Sequence, residues 1–226
     1  KDLEARYVTV GAGSRVTGVV ARSITGGQEH TFSADTVALA AGALTSTRIF
    51  LESSRRSSGG STRLSGLMDN RQVLVPFLNL SMIGREFQTN SYQYHLLGMG
   101  LASESPKDYV HGQITTLKTA LVHPLIQRLP LDLRTATRLF RSVHAALGLV
   151  NVNFKDTRRE SSFVELTDAA DSQPQLRIHY EPPSGEDQVM GPAIGRVKKA
   201  LWQLNCLVPP GMVQVRPMGA SVHYAG

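Results

Sequence analysis

The chain has 226 residues, 41% hydrophobic and 19% charged, with 24 Lys and Arg against 18 Asp and Glu for a net charge of +6. That is length enough for one large or two small domains with a substantial core, and the composition is that of an ordinary globular protein. A single cysteine, Cys206, excludes an internal disulfide framework and a cysteine-rich zinc site; no run approaches the roughly 18 apolar residues of a membrane-spanning helix, and the scattered arginines lack the interleaved aromatics of a nucleic-acid-binding motif, so no nucleic-acid partner is expected.

In chain order, residues 7–10 and 16–22 read as two strands. Between them, VTVGAGSRVTGVV (Val8–Val20) imitates the glycine loop G-x-G-x-x-G that seats a dinucleotide pyrophosphate. Gly11 and Gly13 fit, but Val16 holds the third glycine position. The β-branched run that follows supplies no helix N-terminus for a phosphate, so a hairpin with its turn at Gly11–Ser14 is expected instead. Thr31 and Phe32 extend the sheet after a Gly26–Gly27 turn. Ala34–Ala43 is an apolar run of the kind found in a strand buried on both faces. A helix capped by Thr45 or Ser46 follows, with Ile49 and Phe50 on its core face. Ser53–Ser61, rich in Ser, Arg and Gly, reads as a mobile loop, and Gly66–Asn70 as a second turn-rich patch.

After residue 70 the texture changes. Residues 72–84 and 91–99 read as strands, with Tyr92, Tyr94 and Leu96 alternating on one face. Residues 131–148 read as a helix with Ala136, Leu139, Phe140, Val143 and Leu147 on one stripe and Arg134, Arg138 and Arg141 on another. A basic amphipathic helix suits a membrane surface, but this apolar stripe is no wider than a core contact needs, so a surface helix packed on its own domain is expected. Further strands are expected at 149–154, 162–166 and 175–180, the last two joined by a turn at 168–174. A second helix is expected at 185–205, with Val189, Ile194, Val197, Leu201 and Leu204 on one face and Lys198 and Lys199 toward its C-terminal end. Cys206 follows as a buried structural thiol, a usage that fits a reducing compartment and a cytoplasmic location. A strand at 212–215 leads into the terminal segment.

Gly42–Ser54 (GALTSTRIFLESS) resembles the second signature of the glucose-methanol-choline family of FAD-dependent oxidoreductases, Gly-Ala-x-x-Ser-Pro followed by two hydrophobic residues and Ser-Gly. Gly42, Ala43, Ser46, Leu51 and Ser54 match; Thr47 replaces the proline, Phe50 an aliphatic residue and Arg55 the glycine. Asp35–Ala41 resembles the family's apolar lead-in, and Gly18-Val19 in Arg15–Arg22 its Gly-Val strand. Leu67–Asn70 resembles its N-L-x-D-H segment, with Asn70 in place of the histidine. Ser221–Gly226 resembles the start of H-P-x-G-T, with Tyr224 in place of the proline. These segments fall in the family's order across nearly the whole chain, whereas residues 72–180 carry no matching motif. His123-Pro124-Leu125 imitates H-P-x-G, but Gln127 stands in place of the following glycine; His95, His111, His144 and His179 lack metal-ligand spacing, and none of these five histidines is assigned a role. No metal site is expected.

The resemblance implies an α/β and α+β protein: part of a Rossmann-like FAD-binding domain over residues 1–70, a substrate domain with an antiparallel sheet and helices over 71–218, and a return to the flavin over 219–226. It implies backbone contacts to FAD at Ala41, Gly42 and Ala43, and a first strand passing near the adenine at Tyr7 and Val8. It makes His223 the base that takes the proton of an alcohol substrate, a role suited to imidazole near neutral pH. A small-molecule alcohol is the expected partner, with oxygen or another carrier reoxidising the flavin. The chain, running from Lys1 to Gly226, is expected to be a piece of a longer protein, with the glycine fingerprint upstream and a second catalytic residue downstream. Alternatives that remain are a hydroxynitrile lyase on the same scaffold, and a non-catalytic binding module.

Overall fold

A computed structural model describes residues 2–87, 97–103, 109–116, 127, 130–167, 174–221 and 223–226. The expected features at His95, His123, Tyr92, Tyr94, Leu96 and 168–173 lie outside the described residues. Among those described, every strand pairing is antiparallel, so the mixed α+β class is observed and a parallel, Rossmann-like sheet is not. The chain divides into two compact units: Lys1–Asp69 with Thr157–Pro182 and Val222–Gly226, and Asn70–Asp156 with Pro183–Ser221. The stretch 157–182, expected within the second domain, lies in the first unit because its strands pair there.

In the first unit, β1 (Leu3–Val10), β2 (Val16–Ser23) and β3 (Glu29–Ser33) form a three-stranded meander. The expected hairpin is present, with a 3-10 turn at Ala12–Ser14. β4 (Arg63–Ser65), β10 (Phe163–Thr167) and β11 (Gln175–His179) form a second sheet, and β5 (Met68–Asp69) pairs with β14 (Tyr224–Ala225). Helix α1 (Ala43–Ser58) packs on β1. The serine-rich stretch after Ser53, expected as a loop, is the second half of this helix. Glu52, only 2% exposed, holds both Arg55 and Arg56 one turn on, at 3.0 and 2.5 Å, and these i,i+3 and i,i+4 pairs favour the helical conformation. Gly59 ends the helix in the left-handed conformation, its N–H donating to the Arg55 carbonyl.

In the second unit, β6 (Arg71–Asn79), β7 (Gly98–Leu101), β8 (Val110–Thr116), β9 (Leu147–Phe154), β12 (Cys206–Leu207) and β13 (Gln214–Val215) form one sheet, in which β12 and β13 share the edge of β6. Alternation along the strands puts Val73, Val75, Phe77, Val150 and Val152 on one fully buried face. Each such side chain contributes about 1.5–3 kcal/mol by leaving water. Pro76 sits in β6 between the residues paired with β12 and those paired with β13, where its missing N–H breaks no ladder bond. Gly148 faces Phe77 across the β6–β9 pair, and a Cβ there would overlap the aromatic ring.

Helix α3 (Glu186–Gln203) covers this core with Met190, Ala193, Val197 and Leu201. The expected stripe is correct at Val197 and Leu201, but Val189 is 60% exposed and Leu204 64%. Helix α2 is shorter than expected, spanning Leu133–Val143, because residues from Leu147 onward are drawn into β9 by pairing with β6 and β8. Its Ala136 and Phe140 are buried and its arginines face water, the arrangement of a surface helix. Cys206 is buried, and burial pushes its thiol up from the ordinary value, which keeps it protonated and poorly nucleophilic.

Candidate functional site

The residues from Asp35 to Gly42 do not form the expected buried strand. They belong to no ladder among the described residues, and Ala38–Gly42 are exposed. An extended run needs a neighbour to satisfy its amides and carbonyls, and neither β1 nor β3 extends to it. The local hydrogen bonds are the Ala34 N–H to the Thr17 carbonyl and the Ala41 N–H to the Ser46 hydroxyl.

At the end of this run Gly42 has φ 81° and ψ 161°, a conformation open in practice only to glycine. It turns the chain directly into α1, which therefore starts at Ala43 rather than after a Thr45 or Ser46 cap. No side chain caps the helix, and the Ser46 hydroxyl is spent on the Ala41 amide behind it. The first helical N–H groups, which lack intrahelical acceptors, are thus left beside a backbone surface without side-chain cover. No atom lies within 4 Å of the position a Gly42 Cβ would take.

Two grooves of the first unit meet at Val37 and Leu39. One, of about 420 Å³, runs between the end of β1 and α1, with Val8 and Phe50 in its walls. The other runs along Ala38–Ala41 toward Val19 and Ile49. Val8 borders both, and its N–H donates to the Ser53 hydroxyl at 2.7 Å. Ser53 in turn donates to the Ile49 carbonyl at 2.6 Å, so one buried hydroxyl ties β1 to α1. Of the residues singled out in the sequence, Val8 and Ala41 therefore border one groove, with Gly42 and Ala43 next in the chain. Tyr7 borders neither groove; its ring lies 4.2 Å from the Arg56 guanidinium.

Phe50 was expected in the core but is 50% exposed and walls the first groove. Ser53, Ser54, Ser57 and Ser58 line the same wall. Their spacing from Phe50 (three, four, seven and eight residues) is that of one helix face, a signal masked in the sequence by loop-like composition.

His223 is exposed and immediately precedes β14. It borders neither groove, but its strand is placed specifically: Tyr224 pairs with Asp69 and Ala225 with Met68. The ladder thus joins the two segments, Leu67–Asn70 and Ser221–Gly226, that the family resemblance identifies far apart in the sequence. Asp69 is buried at 4% exposure, and β14 also approaches α1.

The remaining described histidines outside this region have local partners or none that suggests a ligand set. His144 stacks on Phe87 at 3.7 Å, and His179 on Phe163 at 4.8 Å. Among the described residues no three His, Cys, Asp or Glu side chains are grouped to hold a metal ion. Nor is any helix long and apolar enough to cross a membrane. No protein-family model matches the chain, and a search of curated proteins finds no match.

Proposed function

We propose that this chain carries part of the flavin site of an FAD-dependent alcohol oxidoreductase of the glucose-methanol-choline type, with a Rossmann-like FAD-binding part built around the first unit. The observation that carries the reading is the β5–β14 ladder. Two motif-bearing segments remote in sequence are paired neighbours, with His223 immediately before the strand of one of them.

The residues around Gly42 fit a nucleotide cofactor. The apolar walls at Val8, Val37 and Leu39 suit a flat aromatic ring, and the serine face of α1 offers hydroxyl partners. Gly42 leaves its backbone open to close approach, and the uncapped start of α1 favours a phosphate. Ala41, Gly42 and Ala43 would hold the cofactor by backbone contact, with Val8 beneath. When bound, FAD supplies a two-electron acceptor for hydride from the carbinol carbon. His223 accepts the hydroxyl proton at an imidazole nitrogen as the C–O bond becomes a carbonyl.

The test is anaerobic addition of a panel of primary and secondary alcohols to the flavin-loaded, full-length protein. Bleaching of the oxidised flavin band by at least one alcohol is expected. Tightly bound flavin that no alcohol bleaches, with cleavage of a cyanohydrin, would assign the lyase alternative. A full-length protein that binds no flavin would leave a non-catalytic module.

A further inference from the structure

One edge of the second unit exposes apolar side chains that its own core does not use. Trp202 is 67% exposed and Leu204 64%, at the C-terminal end of α3, whose Met190, Val197 and Leu201 are buried. Leu80, on a 3-10 turn at Leu80–Met82, and Ile83 just after it are exposed, as is Leu139 on α2. Hydrogen bonds hold these segments side by side. The Leu80 N–H donates to the Asn205 carbonyl at 3.0 Å, and the Asn205 Nδ2 donates to the Ser81 hydroxyl at 2.8 Å. The Gly84 N–H donates at 2.8 Å to the carbonyl of Ser142, three residues after Leu139. The exposed groups therefore follow one edge, from the end of α3 across the turn to the end of α2.

Charge along this edge is nearly all of one sign. Lys198, Lys199, Arg85, Arg138 and Arg141 are exposed, and none forms an ion pair among the described residues. Glu86 is the sole acidic residue of the segments 80–87, 133–146 and 194–207. Lys198 stands four residues before Trp202, on the same face of α3. On α2, Arg138 and Arg141 share a side roughly opposite the buried Ala136 and Phe140.

We propose that this edge docks peripherally on a membrane surface rich in anionic phospholipid. The headgroup layer suits Trp202, whose indole buries an apolar body there and keeps its N–H wet. Leu80, Ile83, Leu139 and Leu204 enter the same layer, and the surrounding Lys and Arg side chains reach lipid phosphates. A nucleic acid would answer the charge but leave the leucines without a partner. A second copy of this chain would set like charges against each other across a two-fold contact. Docking needs no spanning segment, and no described helix is long and apolar enough to be one. The inference rests on the second unit alone, so lipid binding and flavin chemistry can fail separately.

The test is co-sedimentation of the full-length protein with vesicles of phosphatidylcholine alone, and of phosphatidylcholine with phosphatidylserine at about 2:1. Binding to the mixed vesicles at least about tenfold tighter than to the neutral ones is expected, and it should weaken as salt rises. Combining Lys199→Gln with Arg141→Gln should weaken it about twentyfold, since each basic side chain near an anionic surface contributes about fivefold. Trp202→Ala should weaken it about tenfold by withdrawing the indole from the headgroup layer. These positions are exposed, so an unchanged thermal midpoint is expected in both variants. If Trp202→Ala shifts that midpoint, Leu204→Ser reads the apolar contribution in its place. No preference for the mixed vesicles, or undiminished binding by either folded variant, would overturn the proposal. So would tighter binding to duplex DNA than to the mixed vesicles, or self-association without lipid that Trp202→Ala abolishes.

Discussion

The sheet of the second unit and the Asp35–Gly42 run of the first are both apolar, yet they end in opposite states. In the sheet, Val73, Val75, Val150 and Val152 are wholly buried because each strand has neighbours and α3 covers the face. In the run, Val37 is half-buried, Ala38–Gly42 are exposed, and no ladder forms among the described residues. Hydrophobic content selects a segment for burial, but a strand exists only where a second strand answers its hydrogen bonds. The exposed run is therefore where the proposed function places a cofactor and its supporting structure, whereas the sheet is already complete.

The contrast can be broken at its stable side first. Phe77→Ala should destabilise the second unit by about 3–5 kcal/mol, since it empties the space over Gly148. Denaturant unfolding followed by tryptophan fluorescence of Trp202 on α3 checks this. A loss below about 1 kcal/mol would mean the sheet core is loosely packed. Gly42→Ala tests the other side. It should cost about 1–3 kcal/mol through backbone conformation alone, because no atom crowds the new methyl group. Measured by thermal unfolding, a neutral effect would show that Gly42 does not need its positive φ.

Ser53→Ala should cost about 1–3 kcal/mol by leaving the Val8 N–H without its acceptor, and amide exchange at Val8 should quicken. The smallest effect is expected at Asp132, the N-cap of α2. The hydrogen bond from the Thr135 side chain, followed by backbone donors at Thr135 and Arg134, lowers its carboxyl from the ordinary 3.8. A lowered folded-state value means the cap contributes above the unfolded value and is lost as pH falls through the lowered one. Slight fraying of the Arg134 and Thr135 amides below about pH 3.8 is expected by NMR. Identical behaviour in Asp132→Asn would remove the charge from that account.

Much of the second unit was legible because its strands alternate cleanly. The period-two patterns of 72–79 and 149–154 announce β6 and β9, and the helical spacing of Val197 and Leu201 announces α3. Val110–Thr116 escaped notice because Gly112 and the polar positions His111 and Gln113 interrupt its apolar residues. In the first unit the hairpin was evident, but the serines of α1 were not. Their helical order depends on Glu52 drawing Arg55 and Arg56 together, a local network that composition does not express. At the candidate site, the sequence pointed to Gly42 and His223 by family resemblance. It could not show that β14 answers β5, because that ladder is a long-range pairing set by the folded chain.

The central claim is that His223 acts as the base of a flavin-dependent alcohol oxidation. Stopped-flow reduction of the flavin by alcohol, comparing the full-length protein with its His223→Ala variant, tests it most directly. The account predicts unchanged flavin content with reduction slowed by about 10²–10⁴-fold. Equal reduction rates in the two proteins would contradict it.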